Sequence, residues 1–212
     1  MIIAIDGPSA AGKSTAAKLL AKELGIDYID TGAMYRAVAL KVMRCGIDTD
    51  DEEVLAALLD SMGIDLDGAR VLLDGEDVSG LIRTEDVSMQ ASRISAIPAV
   101  RQKLVASQRE MGARKSVVMD GRDIGSNVFP GADHKFFITA SPEVRAERRY
   151  KELAEKGAKV SYEEVLEDVK KRDRDDSHRA LNPLVQTEDA ILIVTDDLGI
   201  EETLILLLKY LH

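Results

Sequence analysis

"GPSAAGKS", Gly7 to Ser14, follows the apolar run "MIIAI" and Asp6 and leads into the helix-like "TAAKLLAKEL". Glycine, four residues, then Gly-Lys-Ser is the spacing of a loop whose backbone N–H groups wrap phosphate oxygens at a helix N-terminus. Small side chains at Pro8, Ser9, Ala10 and Ala11 let the backbone approach, with Gly7 and Gly12 supplying the turns. Lys13 reaches toward β- and γ-phosphates, the Ser14 hydroxyl is of the kind that ligates Mg²⁺, and Thr15 opens the helix. The alternative is a glycine-rich strand-to-helix turn with a solvated lysine. The strand–loop–helix setting favours a nucleoside triphosphate, without saying what is done with it.

The wider chain is that of a globular protein. Its 212 residues suffice for one well-buried domain with appendages, at 45% hydrophobic and 31% charged residues. "MIIAIDG" has no basic leader and reads as a first strand, so neither a targeting segment nor a membrane span is expected, and the location implied is the cytoplasm. The single cysteine, Cys45, excludes an internal disulfide framework and a cysteine metal site. A net charge of −10 argues against broad nucleic-acid or anionic-membrane binding. Arginines nevertheless gather in "DGRD", "RAERR" and "KKRDRDDSHR", which suits a small anionic substrate in a cleft, or else solvated helix faces.

Strand signals at 2–6, 27–29, 116–120, 135–139 and 190–195 alternate with helical ones at 13–24, 34–44, 51–62, 98–112, 142–156, 162–174 and 200–211. The apolar runs lack strict alternation, as in strands buried on both faces. The pattern predicts an α/β fold with a parallel sheet between helices and the ligand at the carboxyl ends of the strands. One stretch breaks the rhythm. "DLDGARVLLDGEDVSGLIR" carries two Asp-Gly turn signals around "RVLL" and reads as a small antiparallel insert at about 65–87.

The phosphate loop alone leaves several classes open. An Asn-Lys-x-Asp guanine reader is absent, which disfavours a regulatory GTPase. A small-molecule kinase needs a second anion site. A nucleotide-dependent switch that does no chemistry is a rival of another class.

Four further segments narrow the choice: "DTGAMYR" at Asp30–Arg36, "ASRISAIPAVR" at Ala91–Arg101, "DGRDIG" at Asp120–Gly125 and "RDRDDSHRALNPL" at Arg172–Leu184. Together, in this order behind the loop, the chain resembles the bacterial cytidylate kinases over essentially its whole length. The resemblance implies a single nucleotide-kinase domain spanning 1–212, with a core sheet of five parallel strands. It implies a monophosphate-binding region at about 31–101 containing the insert, and a mobile lid at about 148–164. It implies transfer of the ATP γ-phosphoryl group to CMP or dCMP with Mg²⁺, and no nucleic-acid or membrane partner. The absence of a long exposed apolar stripe predicts a monomer.

By the same resemblance Lys13, Arg122 and Arg179 serve phosphoryl transfer, and Arg36 joins Arg122 and Arg179 in gripping the acceptor phosphate with planar forks. Arg172 and Asp176 match the sugar-contacting pair, although their four-residue spacing equally fits an intrahelical ion pair. Thr31 and Tyr35 flank the acceptor; a helix-face aromatic is the plainer reading of Tyr35. Asp120, closing "SVVM", either helps Ser14 hold Mg²⁺ through water or caps the following turn. Of Arg145, Arg148 and Arg149, the last two are the candidates to cover the ATP phosphates. Asp123, Arg101 and Ser92 are implied to read the base. Cytosine presents an N4 donor with N3 and O2 acceptors, and a carboxylate accepts from N4. A turn cap at Asp123 and helix-flanking positions for Ser92 and Arg101 are the structural alternatives.

Overall fold

The computed structural model describes residues 1–68 and 70–211; Ala69, inside the predicted insert, and His212, at the end of the predicted domain, lie outside them. The chain divides into two compact units, Met1–Tyr28 with Ser116–His212, and Ile29–Lys115.

In the first unit, β1 (Ile2–Asp6) runs into the phosphate loop and α1 (Lys13–Leu24). β2 (Asp27–Asp30), whose first two residues belong to this unit, β6 (Val117–Gly121), β7 (His134–Thr139) and β8 (Ile191–Val194) complete a five-stranded parallel sheet ordered β2-β6-β1-β7-β8. β1 lies between β6 and β7, with Ile5 opposite Asp120 and Phe136. It is central, so Ile3, Ala4 and Ile5 are wholly buried, and its apolar run without alternation follows from that place. β8 departs from the expectation of two-sided burial. As an edge strand it buries Ile193 and leaves Leu192 and Val194 exposed.

α1 lays Ala16, Ala17 and Leu20 on this sheet beside Leu207 of α8 (Ile200–Lys209), forming a core with Ile3, Ile5, Val118, Phe136 and Ile138. α6 (Pro142–Glu155) and α7 (Tyr162–His178) pair through Ala146, Val165 and Val169, with Tyr150 edge-on to Tyr162. Ser141 caps α6, and Ser161 with Glu164 forms a capping box for α7. The predicted lid range is thus the end of one helix, a short link and the start of the next.

The second unit holds α2 (Thr31–Cys45), α3 (Glu52–Ser61), α4 (Glu85–Ile94) and α5 (Pro98–Arg114). Between α3 and α4 an antiparallel meander, β3 (Ile64–Asp67), β4 (Arg70–Leu73) and β5 (Glu76–Asp77), forms the insert. It ends earlier than expected: residues 81–83 are a 3₁₀ turn and Thr84 caps α4, which sequence patterning passed over. α2 begins three residues before its expected start because the Asp30 carboxylate caps it, accepting from Ala33 N–H.

Candidate active site

The carboxyl ends of the sheet strands each present a polar residue to one region: Asp6 from β1, Asp120 from β6, and Thr195 just past β8. Between Asp6 and α1 the loop turns left-handed at Gly7, Ala10 and Gly12, with φ of 144°, 59° and 87°. Gly7 admits no side chain. A Cβ there would stand 1.9 Å from the Ile138 carbonyl oxygen. Gly12 is the N-cap of α1 and no side chain caps it, which leaves the first-turn N–H groups to an anion.

Lys13 is 4% exposed, and its Nζ donates to the Pro8 carbonyl at 2.6 Å. Burial first, and the neighbouring Arg122 guanidinium second, push its pKa down to about 7, against the pull of Asp120, Asp176 and Asp6. Asp6 is buried beneath the loop and accepts from the Ile124 and Gly125 N–H groups at 2.8 and 2.7 Å. Burial raises its pKa to about 6 even so.

The two oxygens of Asp120 accept from Ser14 Oγ at 2.8 Å and Tyr28 Oη at 2.7 Å. Ser14 and Asp120 therefore offer a hydroxyl and a carboxylate oxygen side by side, the donor set that suits Mg²⁺ when phosphates and water supply the rest. Among the described residues no cluster of three or more His, Cys, Asp or Glu forms a metal cage of its own.

The "DGRD" turn leads into a wide π-helical turn at Ile124–Val128. Arg122 Nε donates to Asp176 at 2.8 Å, and Arg179 Nη2 to Asp123 at 3.3 Å; Asn127 Nδ2 adds a second donor to Asp123 at 3.0 Å. Asp176 thus bonds Arg122, 54 positions away, and Arg172 adds its charge to that of Arg122 and Arg179 in holding the Asp176 carboxyl low against its burial. The structure brings Lys13, Ser14, Asp120, Arg122, Asp123, Arg172, Asp176 and Arg179 into one charged network.

The three arginines of α6 part company. Arg148 donates to Thr195, to its carbonyl at 2.5 Å and its hydroxyl at 3.1 Å. It borders a cleft of about 320 Å³ with Ala11, Gly12, Thr15, Leu198 and Gly199. Arg149 pairs instead with Glu152 on the helix surface, and this is not the cleft side. Arg145 is buried under the loop. Sequence reasoning missed the cleft, Asp6, Tyr28 and Thr195. Asp6 and Thr195 carried the signal that revealed Asp120, a polar residue closing an apolar strand.

Within the second unit, Arg36 pairs with Asp30 at 3.2 Å, and the Arg101 guanidinium lies 5.9 Å from the centre of the Tyr35 ring. Thr31 opens α2 and is buried. Ser92 lies in α4, where its carbonyl accepts from Ser95 Oγ.

The family model described as cytidylate kinase matches residues 3–212. The chain belongs to that family. It is 58% identical over 200 residues to the cytidylate kinase of Caldanaerobacter subterraneus subsp. tengcongensis, covering 94% of this chain and 89% of that one. It is 50% identical over 202 residues to the cytidylate kinase of Clostridioides difficile, covering 95% and 94%. Among solved structures, shikimate kinase from Bacteroides thetaiotaomicron superposes with a TM-score of 0.52 at 14% identity, covering 100% of this chain and 98% of that one. That likeness concerns the fold alone. Among the described residues no helix is long and apolar enough to cross a membrane.

Proposed function

We propose that this member of the cytidylate kinase family transfers the γ-phosphoryl group of ATP to CMP or dCMP, giving ADP and CDP or dCDP. The observation that carries the reading is Lys13 buried at the phosphate loop, its Nζ held on the Pro8 carbonyl and the Arg122 guanidinium nearby. Burial chiefly, and the Arg122 charge second, hold its pKa down against Asp120, Asp176 and Asp6, so an entering polyphosphate would favour the charged lysine and be held by it. Phosphoryl transfer asks for this kind of positioning and charge neutralisation and for no covalent intermediate. An oxygen of the acceptor phosphate attacks the γ-phosphorus as the bond to the ADP oxygen breaks.

Lys13 and the first-turn N–H groups hold the donor. Arg36, Arg122 and Arg179 grip the acceptor phosphate, and Arg172 with Asp176 contacts its sugar. Thr31 and Tyr35 line the acceptor site. Ser14 and Asp120 would hold Mg²⁺, which when bound neutralises charge on the phosphate oxygens. The cleft beside Arg148 takes the donor base, and closure of a lid at about 148–164 excludes water, the competing acceptor.

Asp123 accepts from cytosine N4, while Arg101 and Ser92 donate to N3 and O2. The bonds from Arg179 and Asn127 orient the Asp123 carboxylate. Uracil would turn its O4 toward the carboxylate and its N3–H toward Arg101. Each mispaired buried group costs about 1–3 kcal/mol. ADP release measured across CMP, dCMP, UMP, AMP and a hydroxy-acid acceptor tests the reading. Stimulation by CMP or dCMP is expected; hydrolysis of equal rate with every acceptor, or with none, would point to a switch instead.

A further inference from the structure

Arg145 stands one turn into α6 with only 2% of its surface exposed, and four of its five N–H donors are engaged. Nε donates to the Ala140 carbonyl at 2.8 Å, which anchors the side chain to the end of β7. Nη1 and Nη2 form a bidentate fork with Asp173 of α7, Nη1 at 2.9 Å. Nη1 also donates to the carbonyl of Ser9, within the phosphate loop, at 3.3 Å.

The last bond is the informative one. α6 and α7 are already joined by the apolar cluster around Ala146, Val165 and Val169, so their pairing does not need an ion pair. Burying the Arg145 guanidinium also carries a desolvation cost that apolar packing would avoid, while Asp173 stays partly exposed. What the guanidinium adds is a connection out of the helical pair and into the loop. Asp173 follows Arg172 directly and precedes Asp176 by three positions, and Asp176 in turn accepts from Arg122. One rigid fork therefore links the Ser9 carbonyl to the helix that carries Arg172 and Asp176.

We infer that Arg145, through Asp173, is a positioning residue that couples occupancy of the phosphate loop to the placement of α7. Hydrogen bonds weaken steeply as their angle closes, so a planar fork bonded on three sides tolerates little tilt of α7 unless Ser9 moves with it. A triphosphate that fixes the loop then restricts α7 to the placement its fork allows, and the acceptor meets Arg172 and Asp176 already oriented. By linkage, an acceptor that fixes α7 steadies the loop for the donor. The inference rests on the kinase reading above.

The test is calorimetric titration of CMP with and without a non-hydrolysable ATP analogue and Mg²⁺, for the unmodified enzyme, Arg145→Lys and Asp173→Asn. The analogue is expected to tighten CMP at least about fivefold in the unmodified enzyme. In each variant that factor should fall below about twofold, while CMP affinity without the analogue stays within about threefold. The double variant should lose no more coupling than either single one, because both cut one link. A purely structural role would lower the melting temperature or both affinities and leave the ratio intact. An intact ratio in the two single variants, or an unmodified enzyme whose CMP affinity ignores the analogue, overturns the inference. If that enzyme still phosphorylates CMP, the functional reading stands while the coupling fails.

Discussion

Lys13→Met should make the protein more stable and inactive at once. The folded lysine titrates at about 7 against an ordinary value of 10.5, so the folded state holds fewer protons than the unfolded chain between those limits. At 1.36 kcal/mol per pH unit, that interval corresponds to roughly 5 kcal/mol of destabilisation when the ammonium is forced to stay charged. One loss reduces the gain on its removal. The Pro8 carbonyl gives up its partner, at about 1–2 kcal/mol, whereas the attraction of Asp6, Asp120 and Asp176 is already contained in the lowered pKa. A net stabilisation of about 3 kcal/mol remains, or a rise of roughly 6–12 °C in melting temperature for a chain of this size. The sign has a pH signature. Stability of the unmodified protein should climb between pH 7 and 10 as its unfolded state sheds the extra proton, so the advantage of the variant should shrink over the same window. Calorimetric melts of both proteins without nucleotide, at pH 7 and pH 9, measure this, and ADP release at saturating ATP reports the lost transfer. A variant less stable than its parent, or an advantage that ignores pH, would refute the reasoning.

Three further outcomes are expected. Gly7→Ala should abolish ATP-analogue binding and lower the melting temperature by more than about 5 °C, because its methyl would overlap the Ile138 carbonyl at a φ that side chains rarely adopt; thermal melts and titration check both. Binding of an ATP analogue should raise the pKa of Lys13 and draw in more than about half a proton at pH 7.5 but little at pH 6, as read from binding enthalpies in buffers of different ionisation enthalpy. Asp123→Asn, whose amide presents either donor or acceptor, should erode the preference for CMP over UMP by about tenfold or more in kcat/KM, with the loss appearing on the CMP side; unchanged discrimination would remove Asp123 from base reading.

The parts of the fold that local chemistry dictates were legible. α1 begins and ends where Lys13 and Gly25 place it, and the central strands follow their unbroken apolar runs. Less legible were the start of α2, set by the Asp30 cap, and the whole of α4, which Thr84 caps within the range expected for the insert. Individual site residues were visible as types in sequence, but their partners were not. Arg172 and Asp176 stand at the spacing of a helical pair, but the bond that Asp176 makes to Arg122, 54 positions away, comes from tertiary packing of the turn after β6 against α7. Arg148 and Arg149 were the candidates to cover the ATP phosphates, and Arg145 was not. Only the rotation of α6 decides that one is buried, one borders a cleft and one faces solvent.

Ala10 sits in the left-handed region at φ 59°, where a residue with a Cβ costs roughly 1–2 kcal/mol relative to glycine. The methyl group returns part of that by narrowing the unfolded chain, since glycine in the same place would have more conformations to lose. The part returned is about 0.4–1 kcal/mol, so the alanine leaves a small net cost in the equilibrium, and what it gains lies in time. A loop that is ordered once, when the polypeptide folds, need not be ordered again each time a nucleotide arrives. Substituting glycine at position 10 should raise the melting temperature by a few degrees and shift the entropy of nucleotide capture toward the unfavourable. The strained alanine thus moves a recurring ordering step out of the catalytic cycle and into the protein's single act of folding.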